Sequence, residues 1–402
     1  MSKNIWVINQ FGSTPKNNVG SGERFFQFGK LWSSKGHKVH LFAGSYNHHF
    51  QTPSPRKFPV VEEKIQKNFS FHWVWVTKYS PNSGILRLLN WLTFVFFLLL
   101  IPKKRYGKPD ILLLTSMSLW PIINVMFLRL RYPKAKFIFE IRDFWPVEMG
   151  NMSKYNPIIL IMFVLEKIGL RTCDTFVSVL PNAKIRLNEI VSKKVKPFFW
   201  IPNGIDEKLI PDIKSSTDVN NDMKFRIGYS GSMGTANCLD VVIDSALKFE
   251  DGQTEFHFFG DGPFRDKLER RCESAPWVFF HGKIKKSDLI HELYKMDALI
   301  ISWRDLNLYK YGVSANKYND YMLVGKPIIS ASNIPNDPVT VNNCGIQVAP
   351  ENEKAITNGV KEILALTMQE RKILGQNGRN YLLKNQTYSI LGQKYLNILD
   401  NV

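Results

Sequence analysis

The stretch Ser314-Ala-Asn-Lys317-Tyr-Asn-Asp320-Tyr-Met-Leu-Val-Gly325-Lys326-Pro327, followed by Ile328-Ile329, holds the most informative combination of side chains in the chain. Its order is that of a helix, a glycine break and a strand. Residues three apart on a helix share a face. Lys317 and Asp320 are therefore placed to offer an ammonium to a phosphate and a carboxylate to the paired hydroxyls of a ribose, with Ser314 just ahead of them. A plain ion pair on one helical turn accounts for the same spacing.

Glycine turns elsewhere add candidate backbone donors. Gly20-Ser21-Gly22-Glu23-Arg24 lies between an apolar run and an amphipathic helix that ends near Gly36-His37, and Gly22 and Glu23 are its candidates for contact with an anion. Tyr229-Ser230-Gly231-Ser232-Met233-Gly234 repeats the arrangement ahead of a helix expected from about Ala236, with Gly231, Ser232 and Gly234 near a diphosphate. His281-Gly282-Lys283 can lay backbone from Gly282 to Ile284 along a nucleobase edge. At all three turns a tight connection without a ligand fits the residues as well. At Phe259-Gly260-Asp261-Gly262-Pro263 a purely structural turn is the better reading.

These residues need a scaffold, and the apolar runs describe one. Ile5–Ile8, Val39–Ala43, Phe71–Val76, Ile111–Leu114, Phe137–Ile141 and Thr175–Val179 read as strands, with helix-like stretches between most of them. The rhythm restarts with Phe225–Tyr229, Glu255–Phe259, Val278–Phe280, Ala298–Ile301, Pro327–Ser330 and Gly345–Val348. Such alternation predicts an α/β protein of two doubly wound parallel-sheet domains facing a central cleft. The boundaries expected are 1–205 for the first domain, 206–222 for a polar linker and 223–384 for the second. A C-terminal helix over 385–402 is expected to pack back on the first domain.

The 402 residues suffice for two full cores. Lys and Arg outnumber Asp and Glu by 53 to 35, a net charge of +18, which points to phosphorylated substrates, anionic lipid or nucleic acid. Zinc-finger spacing, an RNP-type signature and a long basic helix are all missing from the sequence, so nucleic acid is the weaker of these partners. The four cysteines stand apart from one another, as in a reducing compartment, and no metal-ligand spacing occurs. The start reads at once as a strand rather than a secretion signal, giving a cytoplasmic expectation.

Ile85 to Ile101 is apolar except at Arg87, Asn90 and Thr93. As a helix it spans roughly 26 Å, short of a bilayer core of roughly 30 Å. Two readings stay open: a core helix of the first domain, or a helix in the membrane interface with Trp91, Lys103, Lys104 and Arg105 near anionic headgroups.

The order of Ile201-Pro202-Asn203-Gly204-Ile205-Asp206, Gly260-Asp261-Gly262-Pro263 and Lys317 to Pro327 resembles glycosyltransferase family 4, of the GT-B fold. Phe139-Glu140-Ile141-Arg142-Asp143-Phe144-Trp145-Pro146 further resembles a branch of fucosaminyl transferases from bacterial surface-polysaccharide clusters. The resemblance runs over essentially the whole chain. It implies retaining transfer from a nucleoside-diphosphate sugar, UDP-linked by family leaning, to a lipid-linked or saccharide acceptor. No cofactor beyond that donor substrate is implied.

By the same resemblance Asp320 stands for the second glutamate of a paired-glutamate motif that binds the donor ribose, while the first would fall at Gly312 and is absent. The basic pair expected for the diphosphate is also missing, Asn237 and Cys238 standing nearby, which leaves Lys317 to carry the charge. Arg142-Asp143 lies where many members have a histidine near the reacting sugar. Asp143 is thus the candidate for orienting the acceptor, with Arg142 and Glu148 behind it, although an Arg-Asp pair that fixes the loop is the simpler use of both. No Asp-x-Asp motif occurs, and the implied leaving-group stabilisation is electrostatic and without a metal. A nucleotide-sugar epimerase of similar fold and a basic nucleic-acid-binding protein are the alternatives.

Overall fold

The computed structural model describes the chain except for residues 1, 18–22, 49, 51, 81–82, 102, 117, 149–155, 192–195 and 211–223, with backbone alone at 103, 145 and 148. The chain divides into two compact units, Met1–Pro202 together with Tyr388–Val402, and Asn203–Thr387. Most of the segment read as a linker, 206–222, lies outside the described residues. Its described start, Asp206–Ile210, belongs to the second unit, because that unit already begins at Asn203.

In the first unit β1 (Asn4–Ile8), β2 (Lys38–Gly44), β3 (Val60–Gln66), β4 (Phe69–Val74), β5 (Ile111–Thr115), β6 (Lys136–Ile141), β7 (Thr175–Ser178) and β8 (Phe198–Trp200) form one sheet in the order β3-β4-β2-β1-β5-β6-β7-β8. All neighbours run parallel except β3, which lies antiparallel on β4. Strands β1, β4 and β5 are buried almost throughout, as a sheet covered on both faces requires. The two edge strands carry no such signal: β3 reads Val-Val-Glu-Glu-Lys-Ile-Gln and β8 has only three residues.

Five helices connect these strands together with the short α4 (Trp145–Glu148): α1 (Arg24–Ser34), α2 (Gly84–Leu100), α3 (Ile122–Arg131), α5 (Pro157–Thr172) and α6 (Lys184–Ile190). Helices α2, α3, α5 and α6 pack in that sequence into one layer. The last helix of the chain, Tyr388–Asn401, lies against α1. There the Trp32 indole donates to the Gly392 carbonyl at 3.1 Å, and the Tyr395 ring stands 5.4 Å from Trp32. Arg24, buried at the start of α1, donates to the carbonyls of Ile201 and Pro202 and stands 3.4 Å from the buried Glu140 carboxylate on β6.

Helix α2 is oriented against intuition. Its polar side is turned inward: Asn90 is buried and donates to the Thr77 carbonyl at 2.7 Å, Thr93 accepts from the Thr77 amide at 3.2 Å, and the Arg87 guanidinium lies over the Tyr79 ring. Trp91, which the interfacial reading set among lipid headgroups and the core reading did not, is 5 % exposed within the protein. It follows Asn90 onto the inward face.

The second unit repeats the parallel architecture with β9 (Phe225–Ser230), β10 (Thr254–Phe259), β11 (Val278–Gly282), β12 (Ala298–Ser302), β13 (Ile328–Ala331) and β14 (Gly345–Val348), in the order β11-β10-β9-β12-β13-β14. Its helices are α7 (Leu239–Ala246), α8 (Arg265–Arg271), α9 (Lys286–Tyr294), α10 (Asn316–Val324), α11 (Pro338–Val341), α12 (Glu353–Ala365) and α13 (Met368–Asn385); the terminal helix of the first unit is α14. The sheet runs outward from β9 to β11, then restarts at β12 on the opposite side. The strand order therefore reverses between β9 and β12, and open parallel sheets bind ligands beyond the carboxyl ends of the strands at such a point.

Candidate functional site

The carboxyl end of β9 is closed by two interlocked glycine turns. The Gly231 amide donates to the Phe259 carbonyl and the Met233 amide to that of Asp261, each at 2.9 Å. A Cβ on Gly260 would lie 1.9 Å from the Gly231 oxygen, and Gly260 has φ of 137°, so no other residue fits. The turn does not run straight into a helix at Ala236. A single 3-10 turn at Thr235–Asn237 comes first, then Cys238 in a left-handed conformation, and α7 starts only at Leu239. Gly234 itself is extended. The Ser232 carbonyl accepts from the Tyr229 hydroxyl and the Asn237 side-chain Nδ2, both at 2.8 Å.

Helix α10 supplies what fills the parting between β9 and β12. The Ser230 amide donates to the Tyr321 hydroxyl at 2.6 Å, while that hydroxyl lies 3.3 Å from the Ile300 carbonyl on β12. One turn earlier Lys317 reaches over the same parting. Its ammonium donates to the Asn237 side-chain oxygen at 2.7 Å and the Tyr229 hydroxyl at 3.3 Å, and faces the rings of Tyr229 and Trp303 at 4.9 and 5.1 Å. A Cβ on Gly231 would come 3.1 Å from the ammonium, so the glycine clears its place.

Burial pushes the Lys317 ammonium down to a pKa of about 7, with the Asp320 carboxylate opposing that shift. Facing aromatic rings favour the charged form as well. The result is a cation held against desolvation by dipoles and rings, and it gains most from an incoming anion.

Asp320 turns elsewhere. Its carboxylate, 6 % exposed, pairs with Lys286 at the start of α9. The two residues thus share a helix turn without pairing with each other, and any ribose at Asp320 meets a carboxylate already held by Lys286. Ser314 binds within the protein: its hydroxyl accepts from the Asn203 amide at 2.8 Å and its carbonyl from the Asn203 side chain at 2.6 Å, while Asn319 donates to the Asn203 carbonyl at 3.1 Å. The segment Asn203-Gly204-Ile205 is thereby tied to α10.

Gly282 ends β11 with φ of 71°, its carbonyl accepting from the Gly260 amide at 2.7 Å, and Ile284 packs on the core below α10. Gly312 has φ of 83°. The backbone there favours glycine, which gives a physical reason why no glutamate occupies that position.

In the first unit Arg142 and Asp143 follow β6. The Arg142 amide donates to the Ser116 hydroxyl at 3.0 Å, fixing the loop to the end of β5. Burial raises the Asp143 carboxyl above its ordinary range, with the Arg142 charge opposing. Glu148 ends α4, and its side chain is outside what is described. Glu23 is buried at the head of α1, where its carbonyl accepts from the Gln27 amide, and Gly22 lies outside the described residues.

Comparison with known proteins settles the architecture. Residues 224–365 match the family described as Glycosyl transferases group 1. The whole chain has the GT-B fold. It is similar to sucrose-phosphate synthase from Thermosynechococcus elongatus, with TM-score 0.74 at 16% identity over 99% of this chain and 98% of that one. Anabaena HepE, solved in complex with UDP and glucose, gives TM-score 0.67 at 12% identity over all of both chains. WaaG, a glycosyltransferase involved in lipopolysaccharide biosynthesis, gives 0.62 at 11% over 98% of this chain and 99% of that one. No curated protein matches the sequence.

Within the group 1 segment the fold gathers Gly231, Ser232 and Lys317 at one strand parting, places Gly282 on the neighbouring turn, and sends Asp320 and Ser314 to partners of their own. Sequence reasoning missed Tyr229, Trp303 and Lys286 as neighbours of this site. The first two stand at strand ends, a position that marks candidates in a GT-B domain, whereas Lys286 carries no local signal.

Proposed function

We propose that the protein is a retaining, family 4 glycosyltransferase that moves a hexosyl or N-acetylhexosaminyl group from a UDP-linked sugar to a lipid-linked or saccharide acceptor in bacterial capsule or O-antigen synthesis, working at the inner face of the cell membrane. The observation that carries this reading is Lys317, a cation at the reversal point of a sheet whose sequence matches a glycosyltransferase family. The complex of HepE with UDP and glucose supports the choice of donor.

Transfer needs stabilisation of the departing diphosphate above all. Lys317 meets the charge that develops there, and Gly231 lets phosphate oxygens approach the β9 turn without a side chain in the way. Tyr321 and Asn237 hold the turn and the ammonium in register. Asp320, backed by Lys286, takes the ribose hydroxyls. Asp143 orients the acceptor hydroxyl, with Arg142 and Glu148 in support. No metal is assigned a role.

Incubation with a panel of nucleotide sugars and a membrane lipid extract tests the reading: release of UDP that depends on the extract is expected. Donor consumption without any acceptor, or no turnover with any donor, would overturn it.

A further inference from the structure

We propose that the outward face of the α2, α3 and α5 layer docks on the interface of an anionic lipid bilayer. Of the 22 large hydrophobic side chains exposed among the described residues, fourteen stand on the layer formed by α2, α3, α5 and α6. On α2 they are Ile85, Leu86, Leu89, Leu92, Phe96 and Leu100, a stripe along the whole helix, opposite the polar residues that face inward. Helix α3 adds Ile123, Phe127 at 62 % and Leu130 at 83 % exposure, and α5 adds Leu160, Ile161, Phe163 and Val164. A helix exposed to water turns its polar side outward; here three neighbouring helices instead carry apolar side chains on their outward faces, although their inner faces are largely apolar too.

Charge decides the occupant. Helices α2, α3 and α5 contain a single acidic residue, Glu166, which is buried and paired with Arg186 at 2.6 Å. The exposed charges are cationic: Arg131 at the end of α3, Lys167 and Arg171 on α5, and Lys104 just beyond α2. An apolar face whose exposed charges on α2, α3 and α5 are all cationic, with Glu189 on the neighbouring α6 held by Arg186, matches the acyl and headgroup zones of an anionic membrane. No helix among the described residues is long and apolar enough to cross one, so the layer lies in the interface plane. This deepens the proposed membrane placement yet is independent of transfer, because vesicles bind or fail to bind with no donor present.

The test is sedimentation of the full chain with vesicles of phosphatidylcholine, alone or mixed with phosphatidylglycerol. The wild type is expected in the pellet with mixed vesicles and largely in the supernatant with neutral ones. The triple variant Phe96→Glu/Phe127→Glu/Val164→Glu, and separately Arg131→Glu/Lys167→Glu/Arg171→Glu, should each lose about tenfold in vesicle affinity while keeping wild-type UDP binding. Should the triple variant not fold, Leu130→Glu alone, the most exposed position, is read instead. Wild type that ignores mixed vesicles, or variants that bind as well as wild type, would overturn the proposal. So would a lipid-free dimer that the apolar variant turns into monomer, since a second copy would then cover the face.

Discussion

The Lys317 ammonium stands 2.7 Å from the Asn237 side-chain oxygen, so a helix that follows β12 and a turn that follows β9 meet where the sheet order reverses. A neutral side chain of similar length keeps the packing and removes the charge. Lys317→Met is expected to weaken UDP binding between about tenfold and a hundredfold, the range of one charged hydrogen bond. Calorimetric titration with UDP checks it, and unchanged affinity would remove Lys317 from the donor site.

The same lysine sets a pH signature. Its folded pKa, about 7, lies below the ordinary 10.5. The unfolded chain therefore holds a proton that the folded chain lacks between those values, and the penalty on folding is full below pH 7 and fades as pH rises towards 10.5. Lys317→Met should unfold at a higher temperature than wild type at neutral pH, with the gap closing near pH 10.5. In the wild type, UDP binding should take up protons and weaken as pH rises from 7 to 9. A flat profile in both measurements would refute the shifted lysine.

Asp320 and Lys286 form a shielded pair whose halves depend on each other. Asp320→Ala strands the lysine, and a loss of about 3 kcal/mol in stability is expected together with weaker UDP binding. Adding Lys286→Met should recover much of the stability, read by urea unfolding, but none of the nucleotide affinity. Recovery of both would make the pair purely structural.

The parts of this molecule that were legible in its sequence are those written locally. Apolar runs such as Ile111–Thr115 announce central strands, and Gly325, with φ of 68°, ends α10 where the break was read. Edge strand β3 was hidden by its charges, whereas α2 was read as a helix and only the direction in which it faces was not encoded by its nearly all-apolar sequence. Pairings were the least legible. Lys286 meets Asp320 across 34 residues and Lys317 meets Asn237 across 80, and no local spacing encodes such meetings.

Burial at Asp143 has a cost with a definite sign. Its folded pKa is raised, so the fold loses stability as pH rises above the ordinary value of 3.8. Asp143→Asn is expected to raise the unfolding temperature at neutral pH while lowering kcat by about a hundredfold with little change in KM for the donor. Turnover that survives the substitution intact would leave Asp143 a loop-fixing residue.

The clasp between α1 and α14 has a consequence for how the protein is made. Tyr395 stands among Phe25, Phe28 and Trp32, all from the opening of the chain, whereas Asn203–Thr387 forms its own unit in between, with Ile205 bridged to Thr387 near the two ends of that unit. Every residue of the inserted unit is therefore translated before the helix that covers Phe25, Phe28 and Trp32. The core begun first in the chain cannot close until the chain has been read through the whole of the other unit.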